Sequence, residues 1–117
     1  MVSPKLVPVL FTIDAPKVSA YLLNLESKRG ASKAKYLMRF GFTPAEPKVL
    51  ADALAAHAIG NFPGIAQPQP TGPVRIRFEG RVRAPDGRDM PLATVWEATE
   101  TEGERRMRFI TAVPLTR

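Results

Sequence analysis

The stretch that most restricts the fold is Val74–Arg83, where Val74, Ile76, Phe78 and Val82 alternate with Arg75, Arg77, Arg81 and Arg83. A period of two puts the apolar set on one face of a strand and the arginines on the other. The chain must therefore cover one face of a sheet and leave the opposite face charged. Turn chemistry follows in Pro85-Asp86-Gly87-Arg88, where Pro, Asp and Gly suit the backbone of a tight reversal. A second strand is predicted from about Leu92 to Thr99 and a polar tip over Glu100–Glu104. A third strand spans Arg106–Leu115, with Met107, Phe109, Thr111 and Val113 alternating against Arg106, Arg108 and Ile110. Consecutive hairpins of this kind predict an antiparallel meander packed on helices through its apolar face.

Upstream the spacing changes to that of helices. Leu6–Ile13 is β-branched and apolar but contains Pro8, which suits a short edge strand or an extended lead-in segment. Asp14 is placed to cap a helix over about residues 15–24, with Val18, Tyr21, Leu22 and Leu25 as its buried stripe. A second helix is expected over Lys33–Phe40, ended by Gly41 in a left-handed conformation. Thr43-Pro44-Ala45-Glu46 has the form of a capping box, predicting a third helix to about Ile59 that buries Val49, Leu50, Ala53, Leu54 and His57. The expected architecture is α+β: about three N-terminal helices packed on an antiparallel three- to four-stranded β-meander. It forms a single domain over 1–117, with a helical half at 14–60, a Pro/Gly-rich connection without regular structure at 61–73 and the meander at 74–117.

Composition narrows the chemistry. The absence of cysteine removes disulfides and thiolates, and one histidine can hardly supply the ligands of a zinc site, so the chemistry is expected to be metal-free or carboxylate-based, with no metal site and no cofactor. No apolar run is long enough to span a membrane, and a cytoplasmic protein is expected. With 17 Lys+Arg against 11 Asp+Glu, the net charge of +6 favours a polyanionic partner through counterion release. No GxGxxG, Walker, GxSxG or HExxH pattern is present.

The cations fall into two sets. Lys28, Arg29, Lys35 and Arg39 read first as a solvated helix face and second as phosphate ligands. Lys33 precedes Tyr36, Leu37 and Phe40 by three, four and seven residues, which puts it on the apolar side of its helix, where an ammonium either snorkels or meets an anion. Arg75, Arg77, Arg81, Arg83, Arg106 and Arg108 form the arginine face of the sheet, suited to bidentate phosphate contacts or, with Glu79 and Glu97 as counter-charges, to solubility alone. His57 reads first as a packed core histidine and second as a proton shuttle. Thr94 and Thr111 are candidate hydroxyl donors and Trp96 a candidate stacking platform, but all three share parity with apolar strand positions, so Trp96 reads first as a packed core residue.

Several pieces, taken in order, resemble a known family: Tyr21-Leu22-Leu23-Asn24, Gly30-Ala31-Ser32-Lys33-Ala34-Lys35-Tyr36-Leu37, Gly41-Phe42-Thr43, Thr94-Val95-Trp96 and Ile110-Thr111-Ala112-Val113-Pro114. The family consists of small bacterial domains of unknown function, with a YLLN…GxxKAxFF…LGFT helical half and a TVW…TAYP strand half. It is in turn similar to the superfamily of metal-independent RNase toxins that includes barnase, the tRNA-cutting colicins and the ribosome-dependent mRNA interferases. Val113 departs from the pattern, which has an aromatic residue there. The resemblance implies RNA cleavage by attack of a 2′-hydroxyl, with Lys33 matching the family lysine and Thr94, Trp96 and Thr111 its strand motifs.

The leading expectation is an RNA-binding, ribonuclease-like domain of a bacterial toxin or mobile-element system. Lys33, His57, Thr111 and Arg108 are its candidate catalytic residues, and Arg75, Arg77, Arg81, Arg83, Arg106, Lys28, Arg29 and Lys35 its nucleic-acid contacts. The alternatives are a non-catalytic module for nucleic acid or an acidic immunity or antitoxin protein, and an accessory protein whose charge serves solubility.

Overall fold

The computed structural model of the 117-residue chain describes residues 9–14 and 31–115. The described elements, in chain order, are β1 (Val9–Thr12), α1 (Ala31–Arg39), α2 (Pro47–Gly60), β2 (Ile65–Gln67), β3 (Arg75–Arg83), β4 (Asp89–Thr101) and β5 (Glu104–Pro114). All five strands join one sheet in the order β1-β5-β4-β3-β2. Hairpins link β3, β4 and β5 in antiparallel fashion, β2 pairs antiparallel with β3, and β1 pairs parallel with β5.

This corrects the expected architecture of about three helices on an antiparallel three- to four-stranded meander. The described residues carry two helices, and the sheet is five-stranded and mixed. The helix expected over about 15–24 lies outside the described residues. Two strands that flank the meander account for the difference in the sheet. Val9–Thr12 follows Pro8 and occupies the outer edge, where it runs parallel to β5 by way of a long crossover. Ile65–Gln67 lies within the connection expected to be irregular. Pro63 and Pro68 bracket it, and three residues at an edge suffice to pair with Arg75–Arg77.

The helix ends follow backbone chemistry. At the C-terminus of α1, Gly41 has φ +99, its N–H donates to Met38 O (3.1 Å) and the Phe42 N–H donates to Leu37 O (3.3 Å). These are the paired bonds of a Schellman motif, and buried Leu37 and Phe42 supply its apolar contact. The capping-box expectation at Thr43 is not met. Starting at Pro44 would place Pro47 in the first turn, where it lacks the needed N–H and disfavours helical geometry at Glu46. Glu46 instead adopts φ −131, ψ 66, and α2 starts at Pro47. Its buried stripe is Leu50, Leu54, His57 and Ala58, whereas Val49, expected to be buried, is 40% exposed.

The inner face of the sheet meets this stripe. Phe78, Met90, Leu92, Trp96, Met107 and Phe109 are fully buried against Leu37, Leu50 and Leu54. Trp96 stands edge-on to Phe109 (5.3 Å) and to Phe11 (5.2 Å), which locks β1 onto the core. Gly80, in the middle of β3, leaves room for the Asn61 side chain, which a Cβ would strike. The Asn61 Nδ2–H donates to His57 O at 2.7 Å and so closes the end of α2.

Candidate nucleic-acid interface

The outer face of the sheet is organised by one irregularity. Trp96 pairs with Phe109 while its neighbour Val95 pairs with Thr111, so Ile110 is an extra residue on β5. Such a bulge reverses side-chain parity beyond it. Strict alternation had grouped Thr111 and Val113 with inward Met107 and Phe109. The bulge turns Ala112 inward, where it is 2% exposed, and brings Thr111 to the side of Arg108.

Two cross-strand rows result. The first runs Gln67–Arg75–Glu97–Arg108–Thr12 across all five strands, and the second runs Ile65–Arg77–Val95–Thr111. Opposed residues in such rows share a face, and neighbouring strands are about 4.8 Å apart. Ala93 and Val95 on β4 are short and buried, with the longer Glu79 and Arg77 opposite them on β3 and Val113 and Thr111 opposite them on β5.

Helix α1 supplies the cation at one edge. Ala34 and Leu37 anchor it in the core, and its half-buried side carries Lys33, Tyr36 and Phe40. The Lys33 ammonium donates to Thr111 Oγ1 at 2.7 Å, and the Tyr36 hydroxyl donates to Pro91 O at 2.6 Å. Burial raises the Tyr36 pKa, which keeps this hydroxyl a donor. The C-terminus of α1 is fixed to the β3–β4 turn: the Asp86 N–H donates to Phe40 O, and Arg88 donates to Arg39 O while lying 4.5 Å from the Phe40 ring centroid. Lys33 is thus carried on a helix whose C-terminal end is pinned to the β3–β4 turn.

The arginines are not equivalent. Arg77 is held by Glu79 (2.7 Å) and is a quarter exposed, Arg83 pairs with Asp89 (3.0 Å) and Arg106 with Glu104 (3.0 Å). Arg108 donates through Nε and Nη2 to one Asp14 carboxylate oxygen, at 3.2 and 2.7 Å. Asp14, expected as the cap of a helix that lies outside the described residues, is the counter-charge of Arg108 in the outer row. Exposed pairs of this kind hold side chains only weakly, and an incoming phosphate can compete for them. Arg75 and Arg81 point from the same face of β3. Lys35 is exposed on α1, away from Lys33. Lys28 and Arg29 lie outside the described residues.

His57 occupies a different place from these groups. It is 1% exposed, with Nε2 at 2.7 Å from Leu92 O and Nδ1 at 3.0 Å from Thr94 Oγ1. Because a carbonyl only accepts, Nε2 carries the proton and donates it, which leaves Nδ1 to accept the Thr94 hydroxyl hydrogen. Trp96 Nε1–H donates to the same Thr94 oxygen at 3.0 Å. Thr94 and Trp96 are consequently core groups, committed to one another and to His57, rather than a hydroxyl donor and a stacking platform at the surface.

Burial lowers the His57 pKa below 6.5, outweighing the backbone hydrogen bonds that would raise it. The unfolded chain therefore binds more protons than the folded chain as pH falls below about 6.5, and stability falls with it. Thermal melts stepped from about pH 7.5 to about pH 5.5 should show Tm decreasing. The decrease should be smaller in His57→Gln, even though that variant starts from a lower Tm.

Among the described residues no group of three or more His, Cys, Asp or Glu could hold a metal ion. Nor, among them, is any helix long and apolar enough to cross a membrane. The sequence reading missed Glu97 as anything more than a counter-charge. Its parity with Val95 gave its face, but only strand order reveals that it lies between Arg75 and Arg108.

Comparison with known proteins places this architecture. A solved structure titled "Contact-dependent growth inhibition toxin - immunity protein complex from Klebsiella pneumoniae 342" contains a chain of the same fold. The TM-score is 0.66 at 19% sequence identity, over 88% of this chain and 98% of that one. No curated protein matches. A family model described as "Domain of unknown function (DUF6883)" matches residues 9–116, nearly the whole chain and both halves of the resemblance drawn from its motifs. The protein is a member of the DUF6883 family.

Proposed function

We propose that this domain is a toxin-like ribonuclease that binds RNA across the outer face of the sheet and cleaves it without a metal. The observation that carries the reading is the Lys33–Thr111 contact of 2.7 Å, made between residues 78 apart in sequence and beside the row containing Arg75 and Arg108. The contact fixes a half-buried ammonium at the edge of the arginine face, where a phosphate gripped by that face would meet it. Guanidinium groups on the same face can engage phosphate oxygens in pairs. In this reading Lys33 meets the non-bridging oxygens of the scissile phosphate as charge builds in the transition state. Thr111 orients the ammonium, and Arg108, displaced from Asp14, takes a second oxygen. His57 is left out of the chemistry because both ring nitrogens are engaged in the core.

Binding is tested by replacing Arg75, Arg77 and Arg81 together with serine. Affinity for single-stranded RNA should fall, and the slope of log K against log salt should shrink by about 2, as three phosphate contacts are lost. The circular dichroism spectrum should be unchanged, because these side chains lie off the core face. Unchanged RNA affinity in the triple variant would remove the arginine face from the reading.

A second reading is favoured by the fold neighbour, whose title names a toxin together with its immunity protein. The same basic face would then seat an acidic protein. A parent protein that fails to bind RNA even at low salt, yet binds such a partner with strong salt dependence, would favour this reading.

A further inference from the structure

Cleavage by a 2′-hydroxyl needs a proton acceptor near Lys33 and Thr111, and His57 cannot supply one from the core. The outer face carries two carboxylates close to this pair, Glu79 and Glu97. Glu79 is bound to Arg77 at 2.7 Å and lies in register with Ala93, one row beyond the Val95–Thr111 pair. Glu97 lies one row to the other side, half-buried, with Arg75 opposite on β3 and Arg108 opposite on β5. Strand spacing puts these two arginines about 10 Å apart with the carboxylate between them. That arrangement suits one phosphodiester gripped from two sides with an acceptor beneath its sugar.

We propose that Glu97 is the proton acceptor of this site, a carboxylate set between two phosphate-binding arginines on the central strand of the sheet. The inference rests on the ribonuclease reading. Glu97 removes the 2′-hydroxyl proton as O2′ forms its bond to phosphorus. The bond from phosphorus to O5′ breaks, its electron pair goes to O5′, and that oxygen takes a proton from solvent. The products are a 2′,3′-cyclic phosphate and a 5′-hydroxyl, and Glu97 then releases its proton to solvent. The charged groups around it are Arg75 on β3, Arg108 on β5 with its partner Asp14, the diagonal Arg77 and Arg106, and Lys33 on α1.

The test is single-turnover cleavage of an end-labelled single-stranded oligoribonucleotide in EDTA, followed from acidic to neutral pH. The parent rate should fall on acidification. Glu97→Gln should lose about a hundredfold or more in rate together with that acidic limb. Its affinity for the uncleavable all-2′-deoxy strand should not fall, because the amide keeps the shape while removing the basic site and a negative charge that opposes phosphate. Glu97→Asp should retain part of the rate and the limb. A Glu97→Gln protein that cleaves like the parent overturns the assignment and leaves the ribonuclease reading intact. A slow Glu97→Gln protein that keeps its acidic limb, or that loses affinity and Tm together, also overturns it and makes Glu97 a structural member of the row. A parent that cleaves neither this strand nor ribosome-bound messenger RNA overturns the ribonuclease reading and this inference together.

Discussion

Replacing Lys33 with alanine should lower the rate of RNA cleavage by about a hundredfold or more, the usual cost of removing a positioned charge from a developing phosphorane. The ammonium is the cation that the fold presents on Thr111 at the edge of the outer face. Stability should change little. Lys33 is half-buried, and the Thr111 hydroxyl it leaves can turn to water, so the loss should be about 1 kcal/mol or less. Rate and Tm measured on the same preparation separate the two effects. A lysine that merely snorkels would give full activity in the alanine variant, and one needed for packing would give a large fall in Tm. Arginine at this position keeps the charge but alters the donor geometry, and should restore only part of the rate.

Trp96→Ala should be the most destabilising single change among the candidate residues. The indole is fully buried, stands edge-on to Phe11 and Phe109, and donates to the Thr94 hydroxyl that also serves His57. Removing it leaves a large cavity where β1, β4 and β5 meet, at a cost of about 3–5 kcal/mol. For a domain of this size that is a fall in Tm of about 12 °C or more. Trp96→Phe retains most of the volume and loses the indole donor, so it should be milder. It should also leave RNA affinity unchanged, since the ring never reaches the surface. Weakened RNA binding by a folded Trp96→Phe protein would contradict the position of the indole in the core.

What the sequence made legible, and what it concealed, follows from the range of the interactions involved. Alternation in Val74–Arg83 reports a local fact, which face of a strand is wet, and β3 has that face. Alternation on β5 misassigned Thr111 because one extra residue, Ile110, resets parity, and nothing in the local composition marks the bulge. The start of α2 was misread because Thr43 and Glu46 imitate a capping box, while the overriding signal was Pro47 acting on the residue before it. β1 and β2 were read weakly or missed because both are short, proline-flanked edges whose pairing is set by distant partners. Lys33 was legible as a lysine on an apolar helix side, but Thr111 as its partner depends on how α1 lies against β5. Glu97 became a candidate only once strand order put arginines on both sides of it.

The most direct measurement of the central claim is cleavage of RNA by the purified domain in EDTA. It compares an end-labelled single strand, the same strand with 2′-deoxy sugars, and messenger RNA bound to ribosomes. The site described here should cut at least one of the ribose substrates, leave 2′,3′-cyclic phosphate ends and spare the deoxy strand, because its nucleophile is the 2′-hydroxyl. Failure to cut either ribose substrate, or cleavage of the deoxy strand at a similar rate, would contradict the account.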